Sequence, residues 1–385
     1  MTAADVTARQ ARPPRHILVF IHSLHGGGAE RVAADLTAKW AEAGRRVTLV
    51  TQAGSEDDAY ALHPAVERIV LGTAGETGGG LRGLAANWRR VRALRACLRR
   101  CRPDVVLGMM TTASVLAVLA ARGLPCRVIA TEHTHPPSQQ LSALWVRLRR
   151  WAYPRAARVV ALTQGTAQWL AQHVPGSRLS VIPNPVHWPL PDGQPRLAPP
   201  PADAGRVLLA VGRLHPDKGF DILLDAYARI AGRHPDWTLV ILGEGPQRAA
   251  LQAQIERLGL AGKVSMPGRA GNVGEWYDRA DLYVLSSRVE GLSNTLLESM
   301  ASGLAAVAFD CETGPREIVR DGEDGVLVRP AQDAAALAQA LSRLMADPGT
   351  RARMAARAVQ VRERFSAERI LSRWQEVFDQ VRDAG

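Results

Sequence analysis

Strand and helix patterns alternate along almost the whole chain, in two runs separated by one proline-rich break. The first run opens with HILVFIHSLHGGGAERVAADLTAKWAEAGRRVTLVT, which reads as strand, glycine loop, helix, a stop at Gly44 and a second strand. A helical crossover of that length joins parallel neighbours, since antiparallel strands need only a tight turn. DVVLGMM, TTASVLAVLAARG, RVIATEH, ARVVALTQ and GTAQWLAQHV continue the alternation. VIPNPVHWPLPDGQPRLAPPPADAG then carries eight prolines and almost no periodicity, the composition of a domain linker. The pattern restarts with RVLLAVGRL, FDILLDAYARIAGRH, WTLVILG, PQRAALQAQIERLGL, KVSMPG, DLYVLSS and LAAVAFD. Two such runs predict an α/β chain of two doubly wound, Rossmann-like domains, residues 1–188 and 189–385. Asp333 to Asp383 reads as helical apart from a break at Asp347-Pro348-Gly349. The last helix is expected to pack back on the N-terminal domain.

Doubly wound sheets bind ligands at the carboxyl ends of their strands, so two facing domains predict one cleft between them. The loops on that side carry the chemistry. VEGLSNTLLESM follows the strand DLYVLSS and places Glu290 and Glu298 on either side of a loop that turns into a short helix. Ser293 or Asn294 is a suitable N-cap, and the first turn leaves amides without intrahelical partners at the positive end of the helix. A diphosphate fits there. VGRLHPDKGF supplies Arg213 and Lys218 in the loop after the first strand of the same domain, where they can make charge-assisted contacts with it. Glu298, one turn into the helix, is an acceptor for a vicinal diol such as ribose, and Glu290 lies where a sugar hydroxyl would be. The alternative is a capped helix with exposed acids.

The loop Gly26-Gly27-Gly28-Ala29-Glu30-Arg31 is not a dinucleotide fingerprint, because Arg31 takes the third glycine position and no acid ends the strand VTLVTQAG. It is either a tight turn or a backbone that a ligand approaches closely at a helix N-terminus. Glu56-Asp57-Asp58 sits past a strand of the first domain and reads as a solvated loop, not a metal motif. Cys97 and Cys101 lie four apart on a helix and read as two thiols in a reduced compartment or, alternatively, as a shared metal site.

The net charge of +11 is uneven: residues 1–190 hold 24 Lys and Arg against 11 Asp and Glu, and residues 191–385 hold 24 against 26. Eight arginines fall between Arg82 and Arg102, around a stripe of Trp88, Val91, Leu94, Leu98 and Cys101 at helical spacing. Leu141, Leu144, Trp145, Leu148 and Trp151 form a second stripe, flanked by Arg147, Arg149 and Arg150. Either both stripes pack on their own domain, or they lie on anionic lipid with the tryptophans at the headgroups. The first 16 residues carry three arginines but no apolar core, and read as a loose leader, not a secretory signal. No run approaches the roughly 20 apolar residues of a membrane span. The expectation is a cytoplasmic protein, peripheral on the inner face of the cell membrane. A nucleic-acid-binding role is disfavoured, since acids flanking the cleft have no part in holding a polyanion and no RRM, KH or HTH pattern occurs.

In these motifs the chain resembles the retaining GT-B glycosyltransferases of family 4, glycosyl transferases group 1. Glu290-x7-Glu298, VGRLHPDKGFDILLDA, LGEGPQ, SMPGRA, ASGLAAVAFDCETGPREIV with DGEDGVLV, and HGGGAERV carry the likeness in the family's order. The resemblance implies that Arg213 and Lys218 bind the diphosphate, Glu298 the ribose and Glu290 the donor sugar. The amides of Ser293 and Asn294 would hold the distal phosphate, within a donor-binding segment that includes Gly291, Leu292 and Thr295. Gly27 and Gly28 match the loop over the donor, and His133 in ATEHTHPP matches the histidine near the donor sugar, with His135 as its rival. Gly243, Glu244 and Arg269 would hold the base, mostly through backbone. Glu290, His133, Arg213 and Lys218 would then carry catalysis.

The implied reaction is front-face transfer with retention, without a metal, a cofactor or a general base, the departing phosphate taking the acceptor's proton. Its partners would be a nucleotide diphosphate sugar and a saccharide acceptor that is lipid-linked, with no nucleic acid. UDP is favoured over a GDP-mannose donor by the likeness of FDCETGPREIV to polysaccharide and N-acetylhexosaminyl transferases. A non-catalytic sugar-nucleotide-binding scaffold is the more distant alternative.

Overall fold

The computed structural model describes residues 15–75 and 80–383; the leader read at the start of the chain falls almost wholly outside them. It divides into two compact units, residues 1–182 with 371–385 and residues 183–370. The division therefore falls at Ile182/Pro183, before the 188/189 boundary drawn through the prolines. It does so because the proline stretch is built into the second unit. The Leu197 N–H donates to Asn272 Oδ1 at 3.0 Å, Asn272 Nδ2 returns a bond to the Leu197 carbonyl at 2.9 Å, and the Gly271 N–H donates to the Pro195 carbonyl at 2.7 Å. Prolines cannot donate, so side chains and neighbouring loops satisfy the carbonyls of this segment.

The first unit holds seven parallel strands, β1 (His16–Ile21), β2 (Arg46–Thr51), β3 (Val66–Val70), β4 (Val105–Met109), β5 (Arg127–Glu132), β6 (Arg158–Ala161) and β7 (Leu179–Val181), in the order β3-β2-β1-β4-β5-β6-β7. The second holds β8 (Arg206–Val211), β9 (Trp237–Leu242), β10 (Val264–Gly268), β11 (Leu282–Leu285), β12 (Ala306–Phe309) and β13 (Gly325–Val328), in the order β10-β9-β8-β11-β12-β13. Both are the doubly wound arrangement, in which the chain leaves a central strand in one direction and later returns to its other side. All six residues of β1 are buried, as a central strand covered on both faces requires. β3 and β7, which carry no clear apolar run, are the outer strands of the first sheet, and β13 is an outer strand of the second. An edge strand is covered less completely, so its sequence is freer and its signal weaker.

Each unit has its own apolar core. In the first, Leu18, Phe20, Val106 and Ala130 of the central strands meet Leu94, Leu98, Leu116 and Tyr153 of the covering helices. The C-terminal helix Ala367–Asp383 belongs to this unit from residue 371 onward. Trp374 and Phe378 meet Trp40 at 5.7 and 5.5 Å between ring centres, edge to face, and all three rings are buried. Truncating Trp40 to alanine removes the centre of this cluster and is expected to cost about 3–5 kcal/mol. Denaturant unfolding measures it; a loss below about 1 kcal/mol would mean the C-terminal helix is not held by these rings.

Candidate active site

In the second sheet the strand order reverses between the neighbours β8 and β11, so the loops that follow these two strands open on one side at the switch point. Gly219 ends the first loop at φ 61°, and a Cβ there would lie 2.2 Å from the carbonyl oxygen of Ser286. Only glycine satisfies both the left-handed backbone and that approach. Ser286 Oγ donates to the Lys218 carbonyl at 2.8 Å, and the Arg288 N–H donates to the Asp217 carbonyl at 2.7 Å. The Arg288 guanidinium then grips both oxygens of Asp221, at 2.7 and 2.6 Å, and holds Asp221 below the usual carboxylate range. From β9, Gly243 comes so near the Gly212 carbonyl that a Cβ would sit 1.9 Å from its oxygen, and the Leu214 N–H donates to the Glu244 carbonyl at 2.9 Å. Three loops are thus tied into one platform by backbone contacts.

Lys218 and Glu290 meet on this platform, with Nζ 2.7 Å from Oε1. Ser287 Oγ donates to the same carboxylate oxygen at 2.7 Å, and Thr313 Oγ1 donates to the Glu290 carbonyl at 2.7 Å. Glu290 is buried, whereas Arg213 is exposed and has no ion pair among the described residues. The cations expected to act alike therefore differ: Lys218 is already matched to an acid, and Arg213 is not.

The helix Asn294–Ala301 begins at Ser293, whose side chain makes no capping bond. Its first-turn amides are left to other partners, at the positive end of the helix. Asn294 Oδ1 instead accepts from Asn184 at 2.9 Å, and Thr295 Oγ1 accepts from Tyr283 at 2.9 Å. Glu298 is buried one turn further, and Tyr277 Oη donates to it at 3.3 Å. Leu292 is buried and Gly291 half-buried in the loop between the two acids. Glu244 is tied to Arg248, whose hydrogen bonds hold its carboxyl below the usual range, and Arg269 is exposed just beyond β10.

In the first unit Gly26, at φ 122°, leads into Gly27, and the helix Gly28–Glu42 starts there, directly after β1. Tyr60 Oη donates to the Gly27 carbonyl at 3.2 Å, and Gly28 is exposed. His133 follows β5. Its Nε2 lies 3.0 Å from Thr131 Oγ1, while Nδ1 is out of reach of water and has no hydrogen-bond partner among the described residues. Burial pushes its pKa down to about 4, so the ring is neutral near pH 7. His135 is more deeply buried, with Nδ1 3.2 Å from Thr166 Oγ1.

Two family models match in succession: Glycosyltransferase Family 4 over residues 26–187 and Glycosyl transferases group 1 over residues 198–361. The amylovoran biosynthesis glycosyltransferase AmsD of Erwinia amylovora is 30% identical over 73% of this chain and 79% of its own length. The chain belongs to the group 1 glycosyl transferases. An exopolysaccharide phosphotransferase of Streptomyces coelicolor is 36% identical over 75% of this chain, a match that spans only 30% of that relative. A Campylobacter jejuni transferase named for adding α-1,4-N-acetylgalactosamine to a diphospho-undecaprenol-linked saccharide is 26% identical over 78% of this chain and 81% of its own length. The sucrose-phosphate synthase structure from Thermosynechococcus elongatus superposes with a TM-score of 0.83, covering 96% of this chain and all of that one, at 21% identity. The fold is GT-B.

The arginine-rich helices, the cysteine pair and the acidic loop all pack at least in part within the first unit of this transferase. Leu94, Leu98 and Cys101 of the first arginine-rich stripe are buried in the first unit's core, and so is Cys97, which faces the same way; Trp88 is 59% exposed. Arg149, expected on the surface, is 3% exposed beside Glu132, because Glu132 gathers Thr111, Gln139 and Tyr153 around a buried carboxylate that needs a cation nearby. Trp145, Leu148 and Trp151 of the second stripe are half-buried against the core. Cys97 and Cys101 place their sulfurs 3.8 Å apart, and burial beside Cys101 pushes the Cys97 thiol up to about 12. No trio of His, Cys, Asp or Glu arranged for a metal occurs among the described residues. Asp58 of the Glu56-Asp57-Asp58 loop pairs with Arg68 at 2.7 Å.

Ser287, Arg288, Asp221, Thr313 and Asn184 were not foreseen. Nothing in their spacing marks them: each acts through a partner more than 20 residues away in sequence, except Ser287, three residues before Glu290.

Two outcomes follow from this geometry. Gly219→Ala forces a left-handed alanine against the Ser286 carbonyl and is expected to lower stability by at least about 1–2 kcal/mol; an unchanged unfolding midpoint would show that the loop can yield. His133 takes up a proton on unfolding between its folded value of about 4 and its ordinary 6.5, so its contribution to stability is complete above pH 6.5 and is lost as the pH falls towards 4. His133→Gln should therefore lose less stability than the parent chain between about pH 7 and about pH 5, and parallel losses would refute this.

Proposed function

We propose that the enzyme is a retaining hexosyl- or N-acetylhexosaminyltransferase that uses a UDP-sugar and extends a lipid-linked saccharide. The observation that carries this reading is the Lys218–Glu290 contact at 2.7 Å beside the uncapped helix start at Ser293, with Arg213 exposed on the same platform. An incoming diphosphate takes Lys218 as its counter-ion, with Arg213 and the amides of Ser293 and Asn294 as further donors. Glu290, released from the lysine, then accepts from a hydroxyl of the donor sugar, kept in place by Ser287 and Thr313. Glu298 accepts from the ribose hydroxyls.

In departure of the nucleotide, charge develops on the distal phosphate, and the two cations and the helix end stabilise it. That phosphate takes the acceptor's proton, so no side chain is assigned as general base, and neither a metal nor a cofactor takes part. Gly243, Glu244 and Arg269 hold the base, while Gly27, Gly28 and the neutral ring of His133 serve the donor. The choice of acceptor rests on the Campylobacter relative's name and on a surface where Trp88 and Leu84 stand exposed among Arg82, Arg89 and Arg92. A cation resting 4.5 Å over the Trp88 ring suits anionic headgroups at a cytoplasmic membrane face.

Thermal unfolding with saturating UDP, GDP or ADP tests the donor. UDP at about 100 times its Kd should stabilise the fold by about 2.7 kcal/mol, and Glu298→Ala should abolish the shift. A shift with GDP alone would replace the UDP-sugar by GDP-mannose. No shift with any nucleotide would remove the transferase mechanism proposed here.

A further inference from the structure

The first sheet carries a cavity at the opposite end from the glycine loop. Arg15 and Asp104 directly precede β1 and β4, Arg46 opens β2, Arg99 and Arg100 lie in the last turn of the helix Gly80–Cys101, and Arg102 follows it. These six residues line a basin of about 670 Å³ at the amino ends of the strands. That volume is in the range of small-ligand sites.

The charge in this basin is one-sided. Asp104 is its one acid, and its Oδ2 is already occupied by the N–H groups of Arg15, at 2.8 Å, and His16, at 2.9 Å. Of the five arginines only Arg46 has an ion pair among the described residues, with Glu67 at 3.3 Å. His16 adds no charge: both ring nitrogens are engaged, with the Cys101 carbonyl and Thr48, and burial lowers its pKa. The carbonyl end of a helix attracts about half a unit of positive charge, which one of these arginines already supplies. Arg102 stands at φ 48°, where glycine or asparagine ordinarily ends a helix. With four more exposed arginines on the same basin, it leaves positive charge there that no acid of the basin balances.

We propose that this basin binds a di- or polyphosphate group, at a site separate from the donor platform. Guanidinium forks match phosphate oxygens two at a time, and five of them suit a ligand carrying more than one phosphate charge. The group belongs either to a free anion or to a lipid headgroup, both of which present the same oxygens.

Calorimetric titration with inorganic pyrophosphate, on the full chain carrying Arg213→Gln to weaken the donor platform, tests this. Near-stoichiometric binding is expected, weakened at least about tenfold by adding Arg99→Gln, Arg100→Gln and Arg102→Gln. All three side chains are exposed, and the triple variant on the parent background should keep its UDP-induced thermal shift, which separates this site from the donor reading. Should the triple variant not fold, Arg15→Gln with Arg46→Gln is read in the same way from different elements. Vesicles of phosphatidylcholine with and without phosphatidylinositol 4,5-bisphosphate form the second arm. Loss of pyrophosphate binding in the variants identifies a free anion. Loss confined to the bisphosphate-bearing vesicles identifies a headgroup. Binding of neither probe, or binding that the variants leave unchanged, overturns the proposal.

Discussion

The platform of loops at the switch point of the second sheet depends on a single close approach. At Gly219 the backbone passes so near the Ser286 carbonyl that one added carbon would lie 2.2 Å from the oxygen. That contact seats the loop after β8 against the end of β11, and Lys218, the residue before Gly219, is thereby brought to Glu290. Gly243 repeats the device from β9, at 1.9 Å from the Gly212 oxygen, and Gly314 sits beneath the Glu290 loop at φ 98° with the Gly291 oxygen 2.9 Å from where its Cβ would be. Side-chain bonds then lock what the glycines allow. Arg288 spans from Asp221 to the Pro216 carbonyl, and Asp310 is held by Arg316 at 2.8 Å and Arg329 at 2.6 Å at the end of β12. A site whose polar groups are positioned before any ligand binds loses less ordering entropy when one does.

The same topology occurs twice, but the two copies are used differently. The second sheet places acids and cations at its switch point, whereas the first places a glycine loop and a half-buried, uncharged histidine on its carboxyl side. Its buried polar centre, Glu132 with Thr111, Gln139, Tyr153 and Arg149, lies one residue from His133. Burial raises the Glu132 carboxyl while the hydrogen bonds of Tyr153, Thr111 and Gln139 oppose it. The excess positive charge of this half is likewise divided. Arg149 serves the interior, Arg90 donates to the carbonyls of Thr73 at 3.0 Å and Gly75 at 2.8 Å, and the arginines at the end of the helix Gly80–Cys101 remain outside.

The fold class and the acidic loop were legible in the amino-acid sequence because both are local patterns. Alternating apolar runs and crossover helices fix a parallel doubly wound sheet through backbone geometry alone, and Glu290, Ser293 and Glu298 lie within one loop and one helical turn. Central strands such as β1 announce themselves because both faces are buried; β3 and β7 do not, because an edge leaves half the strand to solvent. Only the tertiary structure decided which arginines face inward, that Lys218 is matched to Glu290 while Arg213 stays exposed, and that the proline segment joins the second unit. Each of those depends on a partner distant in sequence, at Glu132, at Glu290 or at Asn272, and periodicity carries no information about contacts that only folding brings together.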